Sequence, residues 1–438
     1  MRDLRSTFLF SRIVFVLTAV LFADCLFAQT DIVVRGSGKR YPLAIPELCF
    51  QTEGNAAEAR EIDDVLGRNL DLSGYFEILS PEVFVETPGK CDPSTFAYSD
   101  WSVIGAEGLV KGIVRGSPDN ITVQLYLHDV QRQQVTLAKE YSGHPSQSKA
   151  IAQRFANEIM RVFTGKPGIF GSQISFSSRV GRFKELFVMD MDGTAIRQLT
   201  DDRGIAISSS WNPEGTGLVY TSYRRRVPEL FFIDSLSRKI KQLTEGPMLD
   251  LGGQFSADGQ VILASQSTGT QSDIVLLNRD GSLRRKVTNS FGVIDVSPKW
   301  SPDNREIVFC SNRAGGPQIY VMDVEGRGAR RVSFVNSNYC TSPAWSPDGG
   351  RIAFVCRAEG NFQIFTARPD GTNPLQLTSY GSNEDPEWAP DGSFLVFATT
   401  FGKGSLYSIA IMNPDGSNVR QITKSRTSDT DPAWGPVP

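Results

Sequence analysis

Carboxylates are the residues of this 438-residue chain best placed to do chemistry. In its second half an aromatic residue followed by a turn recurs. Asp250, Asp295, Glu384, Asp385, Asp429 and Asp431 each fall three to five positions before one such aromatic. Ser208, Cys340, Thr341 and Ser342 occupy matching positions. Brought to one rim, these side chains would form an acidic mouth whose field is strengthened by low-dielectric walls. Such a mouth suits a basic segment of a partner protein, or a calcium ion held by oxygen ligands. Arg179, Arg182, Arg224, Arg225, Arg226, Arg313, Arg357 and Lys403 fall in neighbouring loops and would form a more basic collar. Neutral amides at Asp250, Asp295 and Glu384 are expected to weaken partner binding and its salt dependence.

Other chemistries find little support. Only two histidines are present, His128 and His144, which speaks against zinc sites or general bases built on histidine pairs. Gly36-Ser-Gly-Lys-Arg40 looks like the end of a phosphate-binding loop, but position 33 is Val and Arg40 stands where Ser or Thr belongs. Asp190-Met-Asp-Gly193 begins like a calcium loop and lacks the later ligands and the closing Glu. No Gly-x-Ser-x-Gly elbow occurs. Lys plus Arg number 45 and Asp plus Glu 48, a net charge of −3 that argues against nucleic acid as a partner. No catalytic residue and no cofactor is assigned.

The elements that must position the carboxylates follow from the repeats. Trp211, Phe255, Trp300, Trp345, Trp388 and Trp434 recur every 43–46 residues, five of them leading into a Pro, Asp or Gly turn of the Ser-Pro-Asp-Gly kind. A second marker, as in Arg197-Gln-Leu-Thr200, ends at Thr200, Thr244, Thr288, Ser333, Thr378 and Thr423 on the same period. Each unit reads as four short strands, A to D, with tight turns between A and B and between C and D. That is the arithmetic of a β-propeller blade. The first unit starts at a B strand, near Gln173, and the last is only an A strand, Asp431–Trp434. Joining the two completes six blades and removes an open edge. The aromatic anchors are read as core. The B–C and D–A loops share one face, and the carboxylates above sit in the D–A loops near the channel mouth.

Residues 31–165 have a different grain. Ile62, Val65, Leu66 and Leu70 lie at helical spacing within Ala56–Asp71, and Ile151, Phe155, Ile159 and Val162 within Ser146–Phe163. Strand-like runs at Tyr75–Leu79, Gly108–Val114, Ile121–Leu127 and Val135–Tyr141 lie between them. The expected fold is an α/β N-terminal domain, 29–165, followed by an all-β six-bladed β-propeller, 169–438, closed by the C-terminal strand. The short Gly165-Lys-Pro-Gly168 junction should hold the two in a fairly fixed relation.

At the N-terminus, Arg2, Arg5 and Arg12 precede the apolar run Ile13–Ala23, which is about 11 residues and short of the roughly 20 needed to span a bilayer. Residues 1–28 therefore read as a signal peptide cleaved after Ala28. An uncleaved anchor over Phe8–Ala28 would place Arg12 and Asp24 near or in the membrane. Export permits disulfides. Cys49 and Cys91 are the expected pair, because both fall in the first domain. Cys310 and Cys356 read as buried free thiols.

Two stretches resemble the first domain of the TolB family of the Tol-Pal system. They are Trp101-Ser-Val-Ile-Gly-Ala-Glu-Gly-Leu-Val-Lys-Gly-Ile-Val114 and Ile151-Ala-Gln-Arg-Phe-Ala-Asn-Glu-Ile159 with Phe163-Thr-Gly-Lys-Pro-Gly-Ile-Phe170. The Trp-Ser-Pro-Asp-Gly repeats resemble that family's six-bladed propeller. Gln153 departs from the His frequent in the family. The resemblance implies a periplasmic scaffold that is not an enzyme. It would bind the peptidoglycan-associated lipoprotein through its propeller and a TolA-type inner-membrane protein through the mature N-terminal segment. That segment would be about Gln29–Ser37, with Asp31, Ile32, Val33 and Val34 at its core, although these four could equally be an edge strand. The implied role is outer-membrane integrity and invagination during cell division, by a monomer that meets membranes only through its partners. The alternative is a periplasmic propeller that binds or processes a glycan or peptide in its channel. Its candidate stacking residues, Tyr223, Tyr339, Phe362, Tyr380 and Phe401, show no repeat.

Overall fold

A computed structural model describes residues 40–84, 95–402, 406–424 and 426–437. The segment Asp31–Val34, Cys91 and Lys403 lie outside the described residues. Cys49 is disulfide-bonded.

The N-terminal region is one mixed sheet under two long helices. Its strands are β1 (Tyr41–Ala44), β2 (Cys49–Phe50), β3 (Phe76–Ile78), β4 (Gly108–Ser117), β5 (Asn120–Asp129) and β6 (Gln134–Gly143); its helices are α1 (Ala56–Leu72), α2 (Tyr98–Val103) and α3 (Ser148–Thr164). The sheet order is β3-β1-β4-β5-β6, with β2 also pairing β4. Both long helices form for the reason their spacing gives. Ile62, Val65, Leu66 and Leu70 of α1 and Ile151, Phe155 and Ile159 of α3 are all buried on one stripe. Gly165, at φ 76°, ends α3 in the left-handed conformation that a side chain would disfavour. The structure adds β1, β2 and α2, which are too short to show a period.

Six four-stranded sheets follow, each in the order A-B-C-D. Their A strands are Ala206–Trp211, Leu249–Phe255, Asp295–Trp300, Cys340–Trp345, Asn383–Trp388 and Asp429–Trp434, which define blades 1 to 6. Blade 6 is the composite: Asp429–Trp434 pairs antiparallel with Gln173–Val180, closing the ring with the last strand.

Both repeated markers have structural roles. The closing Thr or Ser accepts a hydrogen bond from a backbone N–H within strand C, at 2.9–3.0 Å in all six blades, as Thr200 does from Leu186 and Ser333 from Ile319. This satisfies a backbone donor buried between strands. The anchors link adjacent blades. Indole N–H groups of Trp211, Trp300 and Trp388 donate to Ala433, Gln254 and Ala344 carbonyls in the preceding blade's A strand. Each of these three anchors thus combines a large buried apolar area with one directional bond to the neighbouring blade.

The N-terminal region docks on the face made by the A–B and C–D turns. Phe155, Ile159 and Phe163 of α3 share one apolar cluster with Ile174, Phe176, Met189, Phe394 and Trp434 of the propeller. Charged pairs frame it. Lys149 reaches Asp190 at 2.5 Å and the Thr194 hydroxyl at 2.9 Å. Arg420 reaches Asp71 at 3.0 Å, and Arg40 grips the other oxygen of the same carboxylate at 2.5 Å.

Candidate functional site

The D–A loops enter each A strand through the same distortion. In every blade the A–B pairing shifts register just before the anchor. The residue three positions before the anchor has positive φ in all six: Ser208 53°, Gly252 58°, Ser297 52°, Ser342 49°, Asp385 52° and Asp431 53°. A bulge of this kind re-aims a side chain. Here it turns six residues toward the axis, where they line a narrow cavity of about 120 Å³ with the prolines that follow four of them. Small-molecule pockets run to roughly 300 Å³ or more, so this channel does not admit a peptide as it stands.

The ten residues assigned to one rim therefore separate by register. Ser208, Ser342, Asp385 and Asp431 face the channel. Asp250, Asp295, Cys340 and Asp429, two positions earlier, are buried within their blades. Each stands opposite a B-strand residue: Gln266, Ser311, Cys356 and Ser178 respectively. Asp250 accepts from Gln266 at 3.0 Å and Asp429 from Ser178 at 2.5 Å. Both oxygens of Asp295 accept from Arg313 at 3.1 Å, which draws that arginine out of the expected collar. Thr341 and Glu384 lie between these levels and line no part of the cavity; Glu384 accepts the Tyr407 hydroxyl. The expectation that Cys356 is a free thiol is corrected: Cys340 and Cys356 are joined in a disulfide, and Cys310 is the buried free cysteine among the described residues. The position eleven residues after each anchor holds Ser222, Gln266, Ser311, Cys356 and Thr399 in blades 1 to 5. That alignment would have matched Cys356 with Cys340.

The channel's charge is also offset from within. Lys184 pairs with Asp431 at 2.9 Å. Lys299 of blade 3 reaches Glu387 of blade 5 at 2.7 Å, bridging the cavity past blade 4. Burial in the ring, with the Asp431 charge beside it, pushes Asp385 up to about 7 against a hydrogen bond from Ser342 at 3.0 Å. Burial pushes Asp250 up too. Among the described residues no group of three or more His, Cys, Asp or Glu is arranged to hold a metal ion.

The same face carries apolar side chains outside this ring. Phe291 is 98% exposed and Tyr380 71%, in the D–A loops before blades 3 and 5. Tyr339, in the loop before blade 4, packs its ring 5.8 Å from Phe362. Phe401 and Ile294 are exposed as well. Sequence reasoning weighed Tyr339, Phe362, Tyr380 and Phe401 only as sugar-stacking residues and passed over Phe291. These side chains leave uncovered apolar area on this loop face. Among the described residues no helix is long and apolar enough to cross a membrane.

Two family models match the chain: one described as the TolB beta propeller domain over residues 160–438, and the TolB amino-terminal domain over 31–136. A Tol-Pal system protein TolB from Anaeromyxobacter dehalogenans is 37% identical over 269 residues, 61% of either chain. A protein TolB homolog from Chlorobium luteolum is 33% identical over 56% of either chain. The matched region thus spans less than two thirds of these relatives' length. The crystal structure of TolB from Acinetobacter baumannii superposes with a TM-score of 0.78 over 91% of this chain and 97% of that one, at 24% identity, a likeness of fold.

Proposed function

Since the chain belongs to the TolB family, we propose that it is a periplasmic, non-enzymatic scaffold of the Tol-Pal system. It links the peptidoglycan-associated lipoprotein to a TolA-type inner-membrane protein, in support of outer-membrane integrity and invagination during division. One observation carries this reading. The N-terminal region occupies the A–B and C–D face, and the opposite face is left with uncovered aromatics around a ring of polar side chains. The lipoprotein would bind there, with Phe291, Tyr339 and Tyr380 as anchors and Ser208, Ser342, Asp385 and Asp431 at the centre. The N-terminal partner segment would supply Asp31, Ile32, Val33 and Val34.

The test is calorimetry of residues 29–438 against the soluble domain of the same organism's peptidoglycan-associated lipoprotein. One-to-one binding that is lost when Phe291 and Tyr380 are replaced by Ala supports the reading. A folded protein that shows no heat of binding at low salt overturns it.

A further inference from the structure

The side of the molecule away from the aromatic face holds a second feature suited to recognition. Strand β6 is ten residues long and lies at the edge of its sheet. Among the described residues its one strand neighbour is β5. Its outer edge therefore presents N–H and C=O groups to solvent, a template on which another strand can pair. Beside it, a cavity of about 520 Å³ opens between β6, α3, the interdomain linker and the propeller. Lys139 and Tyr141 of β6, Arg154 of α3 and Lys166 of the linker line it, facing Asp391 of blade 5 and Val437. Lys139 is engaged by Glu158 at 3.2 Å. Lys166 lies close enough to Asp348 to help hold that carboxyl below its ordinary range, and Arg154 is exposed on α3. Lys139, Arg154 and Lys166 thus face Glu158 and Asp391, a lining cationic by one charge next to an open strand edge.

We propose that the free edge of β6 and this cavity together form a docking site for an extended acidic segment of another protein. The segment adds to the sheet as a further strand. Main-chain hydrogen bonds to β6 supply affinity, and every second side chain turns toward the cavity and sets a carboxylate against Arg154 or Lys166. A second copy of this chain is a poor occupant, since edge-to-edge pairing would bring two net-cationic linings together. The site touches both the N-terminal region and the propeller, so an occupant would also brace the two against each other. It is independent of the lipoprotein-binding face, and either proposal can fail without the other.

The probe is a random dodecapeptide phage library panned at low salt on the full mature chain, residues 29–438. Enriched peptides are then synthesised and their binding followed by fluorescence anisotropy. The expected peptides alternate Asp or Glu with apolar residues. N-methylation of alternate amides should abolish binding in one phase and spare it in the other, because only every second N–H of an added strand points at β6. Arg154→Glu combined with Lys166→Glu, both at exposed positions, should weaken binding by about tenfold or more with an unchanged circular dichroism spectrum. The proposal is overturned by selected peptides without acidic enrichment, by equal tolerance of both methylation phases, or by unchanged affinity for the charge-reversed variant.

Discussion

The two faces of the propeller use the same kinds of residue for opposite ends. On the A–B and C–D face, apolar side chains from α3 and the blades merge into one core, and Lys149 with Asp190 and Asp71 with Arg420 pair across the junction. On the D–A and B–C face, charged groups are paired inside single blades or across the channel, while aromatics stand exposed. A permanent contact buries its apolar area during folding. A surface for a partner that comes and goes must leave that area open and keep its charges from unfolding the blade beneath. Asp250, Asp295 and Asp429, at the start of their A strands, are engaged within their blades, and under the proposed function the exposed loops are what a partner would meet.

The comparison can be broken most severely at the seam both faces share. Deleting Thr427–Pro438 removes the strand that pairs with Gln173–Val180 and unpairs blade 6. The truncated chain should aggregate on size exclusion and lose its cooperative melting transition. Normal solubility and an unchanged transition would refute closure by this strand.

Next in size is the blade 4 disulfide. Cys340→Ser with Cys356→Ser should lower unfolding stability by about 2–4 kcal/mol in denaturant titrations. Lipoprotein affinity should hold, because both sulfurs lie within the blade and not on its open face. A loss of affinity with no loss of stability would reverse that assignment.

A third variant sharpens the contrast between scaffold and surface. Tyr380→Ala should weaken lipoprotein binding by about tenfold or more, in the range of an interface anchor, while changing stability by less than about 0.5 kcal/mol. Asp295→Asn should do the reverse: it leaves the buried end of Arg313 without its anion, so the melting temperature falls and affinity is kept. Equal effects of the two on binding would merge the classes separated here.

The smallest effect is a slope. In the native ring Asp385 keeps its proton up to about 7, whereas an ordinary aspartate loses it near 3.8. Between those values the native state binds more protons than the unfolded chain, so this group's contribution to stability falls as pH rises through the window. Asp385→Asn should flatten that part of the melting-temperature profile and raise stability above pH 7. A profile identical to the unmutated protein's would show that Asp385 does not carry the slope.

The architecture is written in the periodicity of the chain. Two markers on one period of about 45 residues state the blade count, because each blade repeats the same burial problem and solves it with the same Trp and Thr positions. The dangling A strand announced the closure, and the helical stripes of α1 and α3 announced the α/β region. Tertiary structure alone decided which carboxylates do what. Asp295 and Asp385 look alike in a loop, yet one stands two positions before the bulge and turns into its blade, while the other sits on the bulge and turns to the axis. A side chain's face depends on strand register, and one extra residue reverses it. Arg313 was likewise drawn inward by a partner eighteen residues earlier in the chain. Composition records that these charges exist, but only the folded register sets which of them meet.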